Sequence, residues 1–215
     1  MTRVQRPTLD EHREALAACR RCGHPDAVRP ILSLATRPRV MLVGQAPGKV
    51  ECSAEKPFAG RAGRTLFRWL ASAGIDEATA RERIYLSAIT RCFPGASPSG
   101  RGDRVPSPEE QANCAGWLDA ELSIVRPKLL IPVGRLAISR FLGPLPLDEV
   151  IGREHVVRHA SGRGSTIAVP LPHPSGASSW IHQANHPRLL ARAIEILTMH
   201  FRSLGTASTL SRSVA

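Results

Sequence analysis

Arg39-Val40-Met41-Leu42-Val43-Gly44, running into Gln45-Ala46-Pro47-Gly48-Lys49-Val50-Glu51, decides the fold. The first six residues form a short apolar run that ends at glycine, the pattern of a strand buried on both faces. Similar runs recur at 83–89, 128–133 and 165–171, and helical stretches separate them. Ala62 to Gly74 reads as a helix, with Leu66, Phe67, Trp69 and Leu70 on its apolar side and Gly74 as its stop. Ser107-Pro108-Glu109-Glu110 is a helix start, with Ser at the N-cap and Pro at the first turn, and the helix extends to about Arg126. Shorter helices are predicted from Thr8 to about Ala18 and over 135–142, and a closing helix over 186–204. Strands alternating with helices imply a single-domain three-layer α/β/α sandwich around a four-stranded, mainly parallel sheet. One domain is expected over residues 1–204, with 205–215 as a flexible tail. The stretches from Gly44 to Gly63 and from Phe93 to Val105 read as irregular loops.

In such a sheet, ligands bind beyond the carboxyl ends of the strands. Two unusual loops leave those ends: the one from Gly44, and Pro172-His173-Pro174-Ser175. The first is neither a nucleotide P-loop nor a dinucleotide fingerprint, because both glycine orders are missing. Its acid, Glu51, can orient a water or be a solvated carboxylate. Phe58 can stack on a flat ligand or plug the core. His173, between two prolines, can donate a hydrogen bond to a developing anion or be an ordinary turn histidine.

Composition adds a partner. The net charge is +11, and of the 29 basic residues three are lysines (Lys49, Lys56, Lys128), so 26 are Arg. Arginine's fork suits phosphate oxygens, which points to nucleic acid. No apolar leader and no membrane-length run is present, so a cytoplasmic, nucleoid-associated protein and a monomer are expected. Five cysteines in a reducing compartment argue for metal, catalysis or packing rather than disulfides. Cys19 and Cys22 form a C-x-x-C, Cys92 follows the second strand and Cys114 lies in the helix from Ser107. Four thiolates can close an iron–sulfur cluster or a zinc site, and buried cysteines can also be plain core residues.

Taken together, these segments resemble the uracil-DNA glycosylase superfamily, and within it the iron–sulfur branch called family 4. GQAPGKVE and PFAGRAG stand for its first motif, and Ala88-Ile89-Thr90-Arg91-Cys92 for its strand-ending cysteine. PSPEEQANCAGWL stands for the fourth-cysteine stretch and His173-Pro174-Ser175 for the last motif. The resemblance implies excision of uracil from DNA, leaving an abasic site. It implies a structural [4Fe–4S] cluster on Cys19, Cys22, Cys92 and Cys114. It makes Phe58 the stacking aromatic, Glu51 the acid that handles water, His173 the group facing the base oxygen, and Ser175 a phosphate contact.

The sequence departs from that pattern at several places. Gln45 replaces the usual Glu and is assigned to water beside Glu51. Ala88 replaces the Asn that reads the uracil edge, so base recognition is expected from the backbone near Gln45 and Ala46. Gly176-Ala177 replaces bulkier wedge residues, with Trp180 or Ile181 as substitutes. The His-ending insertion of the covalently trapped branch is absent, and Cys52 is unassigned. Three rival functions stand beside this one: a glycosylase of the same fold acting on hypoxanthine, xanthine or modified pyrimidines; a non-catalytic module binding damaged or single-stranded DNA; and a zinc-stabilised protein with no nucleic-acid role.

Overall fold

A computed structural model of the chain describes residues 7–99, 102–158, 164–175 and 179–208. The elements run α1 (Leu9–Ala17), β1 (Val40–Gly44), α2 (Lys49–Ala54), α3 (Arg61–Ser72), α4 (Glu77–Arg83) and β2 (Ile84–Ala88), then α5 (Pro108–Val125), β3 (Leu129–Pro132), α6 (Arg135–Leu142) and α7 (Leu147–Val150). They end with β4 (His155–Arg158), β5 (Ser165–Ala168), a 3-10 turn (Ser179–His182) and α8 (His186–Ser203). The sheet order is β2-β1-β3-β5-β4, parallel throughout except for the antiparallel β4–β5 pair.

Both faces of the sheet are covered, and the period-2 geometry of a strand splits its residues between two cores. Val40 and Leu42 of β1 join Leu66, Leu70, Leu197 and Phe201 on the α3–α8 side. Met41 and Val43 join Tyr85, Leu118 and Leu130 on the α5 side. This is the three-layer sandwich the sequence predicts, with five strands rather than four. The additional strand, His-Val-Val-Arg of β4, is an edge hairpin with alternating burial and polar ends, too short to register as an apolar run.

The Gly44–Gly63 stretch also departs from expectation, because α2 forms within it. Its six residues carry no apolar period and none is buried. Glu51 folds back onto its start instead, accepting the Gly48 amide at 3.1 Å. Two short helices, α4 and α7, are additions to the sequence expectation, with too few turns for an apolar period to mark them. α1 and α5 start at capping boxes. At α1, Thr8 and Glu11 exchange bonds of 2.7 and 3.2 Å, and at α5 Ser107 and Glu110 do the same. Residues 205–208 dock: the Ser208 hydroxyl donates to Asp76 at 2.6 Å and its amide to the Gly74 carbonyl at 2.9 Å. The remaining tail residues, 209–215, lie outside the described residues, as do Gly176 and Ala177.

Candidate active site

The parallel strands deliver their carboxyl ends to one edge, and the connections from β1 and β3 leave towards opposite sides, opening a crevice there. That crevice is a cleft of about 430 Å³, within the range of single small-ligand sites. Gly44 to Glu51, Phe58, Ala88, His173 and Ser175 all line it. The turn after β1 and the His-Pro-Ser turn after β5 therefore share one hollow, with Gln45, Ala46 and Ala88 on its wall.

Phe58 is held in an unusual way. Its φ is +52°, a left-handed conformation that costs a bulky residue roughly 1–3 kcal/mol. Arg81 of α4 supports it, donating to the carbonyls of Pro57 at 2.8 Å and Phe58 at 3.2 Å, while its guanidinium lies 4.4 Å from the Phe67 ring. Gly63 supplies the rest. A Cβ there would sit 1.8 Å from the Phe58 carbonyl oxygen, so no side chain fits unless the backbone moves. Gly63→Ala is accordingly expected to displace Phe58 and to abolish stacking in the cleft. Fluorescence titration with 2-aminopurine DNA, excited beyond the tryptophan band, would show the loss of base quenching.

His173 stands across the cleft, packed against Gly134. The Ser175 hydroxyl lies 2.8 Å from Nδ1, and the Ser175 amide donates to the same nitrogen at 3.3 Å. An amide can donate only to an unprotonated nitrogen, so the proton of the neutral ring sits on Nε2. Burial lowers the affinity of His173 for a second proton. Ser175, matched in sequence to a phosphate contact, here fixes the histidine's tautomer.

Glu51 is fully engaged. Oε2 accepts Gly48 N–H at 3.1 Å and Oε1 accepts Gly60 N–H at 2.7 Å, clasping the two ends of the loop that presents Phe58. The Gln45 carbonyl accepts the Thr90 amide at 3.2 Å, tying the β1 turn to the end of β2. Trp180, a sequence candidate for the wedge, is instead a core residue, 8% exposed and stacked on His186 at 4.0 Å. Ile181 also packs against the core.

Behind the cleft lies a second pocket, ringed by Cys19, Cys22, Cys92 and Cys114. The Trp117 indole N–H points at Cys19 Sγ, 3.3 Å away; Asn113 bonds the Cys22 sulfur, and the Arg91 amide bonds that of Cys114. Burial, then the other three sulfurs, push the Cys92 thiol up to about 12. Among the described residues no three His, Cys, Asp or Glu are close enough to hold a single metal ion. Cys52 faces away, its Sγ 4.0 Å from the Ala27 carbonyl, and lines neither pocket. Arg91 lines both pockets, and its buried pairing with Glu121 of α5 was not legible in sequence.

Comparison with known proteins identifies relatives of this chain. The type-4 uracil-DNA glycosylase of Archaeoglobus fulgidus is 31% identical over 172 residues, 77% of this chain and 81% of that protein. The type-4 enzyme of Thermotoga maritima is 31% identical over 137 residues, 64% of this chain and 65% of that protein, just under two thirds of its length. The type-5 uracil-DNA glycosylase of Thermus thermophilus is 28% identical over 169 residues, 72% of this chain and 73% of that protein. The family model of the uracil DNA glycosylase superfamily matches residues 33–198, a span that includes the cleft residues from Gly44 to Ser175, and the chain belongs to that superfamily.

Proposed function

We propose that this chain is a uracil-DNA glycosylase of base excision repair, hydrolysing the bond between uracil and deoxyribose to leave an abasic site. The observation that carries the reading is the shared cleft, with Phe58 on one side and a neutral His173 on the other. A base inside a duplex cannot reach such a slot, so the nucleotide is flipped out or taken from single strands. Phe58 stacks on the ring, a contact worth about 1–3 kcal/mol per base. Lys49 and Arg61, both exposed on the cleft's lining, grip the flanking phosphates and make binding salt-dependent. As the glycosidic bond breaks, the base departs as an anion, and His173 Nε2–H donates to its oxygen. Gln45 and Ala46 line the cleft, and in this reading their backbone reads the base edge while the Gln45 side chain holds water.

The four cysteines fit a [4Fe–4S] cluster: they ring one pocket, and N–H donors are directed at three of their sulfurs. A bound cluster supplies a crosslink between the end of α1, the end of β2 and α5. Among the described residues no helix is long and apolar enough to cross a membrane. The protein acts as a monomer on cytoplasmic, nucleoid DNA, as one domain.

A second reading has an observation behind it. Ala88 puts a methyl group on the wall of the cleft, at the position where the family has an Asn amide. This favours a wider range of bases, including hypoxanthine, xanthine and modified uracils. One experiment addresses both. Single- and double-stranded oligonucleotides with each base are incubated with purified protein and treated with alkali. Cleavage at uracil is expected; cleavage at purine lesions as well supports the wider range. Intact uracil strands at high enzyme would overturn the glycosylase reading.

A further inference from the structure

Hydrolysis needs a group to hold the attacking water, and the obvious acid, Glu51, is tied to backbone at both oxygens. Both oxygens of Glu51 accept backbone amides, and Gln45 is a neutral amide that cannot take up a proton. Among the described residues lining the cleft, the other carboxylate is Asp103. It arrives from the irregular loop between Phe93 and Val105. Ala96 and Asp103 pair across that loop, Ser97 N–H donates to the Gly102 carbonyl at 2.9 Å, and Arg104 N–H donates to Gly95 at 3.0 Å. Arg104 then grips Glu110 of α5 with two bonds of 2.7 and 2.6 Å. The loop is thereby folded back over the β1 turn. The Lys49 amide donates to the Asp103 carboxylate. A Cβ on Gly48 would lie 2.5 Å from Asp103 Oδ2 and 2.8 Å from Glu51 Oε2. Asp103 is exposed and its carboxylate accepts one backbone amide, whereas the less exposed Glu51 is held by two.

We infer that Asp103 is the carboxylate that holds and deprotonates the attacking water in this enzyme, with Glu51 serving as the clasp of the turn beneath it. The inference rests on the glycosylase reading above. The C1′–N bond breaks, and its electron pair leaves with the base, held by His173 Nε2–H. A lone pair of the water forms the C1′–O bond, and the water's proton passes to Asp103 and then to solvent. The departing base anion takes its proton from solvent. Partial burial at the cleft's edge, then the charge of Glu51, raises the Asp103 carboxyl above the ordinary aspartate value, and the Lys49 amide holds the carboxylate in place. The charged groups that act on it are Glu51 and Lys49 of α2, and Arg61, Arg91, Arg104 and His173 line the same cleft.

The test measures single-turnover uracil release and DNA affinity for wild type, Asp103→Asn and Glu51→Gln across pH 4–9. Asparagine keeps an oxygen for the Lys49 amide, and an unchanged thermal midpoint checks that the variant folds. Asp103→Asn is expected to slow release by about 10²–10⁴-fold, the usual worth of a general base. It is expected to bind DNA no more weakly, because a negative charge leaves a site for a polyanion. The acid limb of the pH–rate profile should vanish in Asp103→Asn and persist in Glu51→Gln, which should instead lower the thermal midpoint. Asp103→Asn rates within threefold of an active wild type, or loss of the limb in Glu51→Gln alone, would overturn the assignment. A wild-type protein that releases no base overturns the glycosylase reading, and this inference falls with it.

Discussion

His173→Ala is expected to slow uracil release by about 10²–10³-fold in single-turnover assays, the loss of one preorganised donor to a developing anion, about 3–4 kcal/mol. The bond it removes gains most of its strength as negative charge arrives on the base oxygen. The loss should therefore appear in the chemical step and leave DNA affinity nearly intact. Two features of the site make the donor effective. The Ser175 amide and hydroxyl converge on Nδ1, holding the proton at Nε2. Burial keeps the ring neutral by lowering its proton affinity below the ordinary imidazole value, so the donor is the same species from mildly acidic to alkaline pH. Ser175→Ala removes the hydroxyl and leaves the amide, so its loss should be clearly smaller. Equal rates for His173→Ala and wild type would remove the histidine from the mechanism.

Glu121→Ala is expected to cost about 3–5 kcal/mol of stability, because it strands a buried charge. Glu121 is 1% exposed and its partner Arg91 is 3% exposed. Arg91 donates to both carboxylate oxygens, Ser87 Oγ donates at 2.8 Å and Tyr85 O–H at 3.1 Å, and His12 Nε2 lies 3.5 Å away. Burial opposes ionisation of Glu121, but the Arg91 charge and the bonds from His12, Arg91 and Ser87 outweigh it and hold the carboxyl below its usual range. A carboxyl depressed in the folded state stabilises above its unfolded value, and that contribution fades as pH falls through the folded one. The stability deficit of Glu121→Ala should thus be large at neutral pH and shrink in acid. Domains of this size hold only roughly 5–15 kcal/mol in total. At roughly 2–4 °C per kcal/mol, the thermal midpoint should fall by about 6–20 °C. Glu121→Gln, which keeps an acceptor for Arg91, should lose less. Because Arg91 lines both the cysteine pocket and the cleft, the alanine variant should also disturb both sites.

What the sequence reveals and what it hides follow from where the information lies. β1 is legible because five successive residues are all buried, and a run of apolar side chains says so directly. α5 is legible because Ser107, Pro108 and Glu110 write its start in local chemistry. α2 is not legible, since its start is fixed by Glu51 reaching Gly48 and Gly60, the latter nine residues away, and no periodicity records that. β4 is hidden for a different reason: four residues with a His and an Arg at the ends become a strand only because β5 offers an edge. The cleft follows the same rule. Motif positions such as His173 and Phe58 are visible in the chain, and the structure brings them to one hollow. Arg81 and Asp103 are not visible, because each acts through backbone that is 23 or more residues distant: Arg81 on the Phe58 carbonyl, Asp103 on the Lys49 amide.

The most direct measurement is a crystal structure of the protein soaked with free uracil, the product of the proposed reaction. The expected density is a flat ring on the Phe58 face, with one carbonyl oxygen in hydrogen-bond reach of His173 Nε2. Uracil seated elsewhere, with the slot between Phe58 and His173 left empty, would contradict the joining of these two turns into one base-sized site.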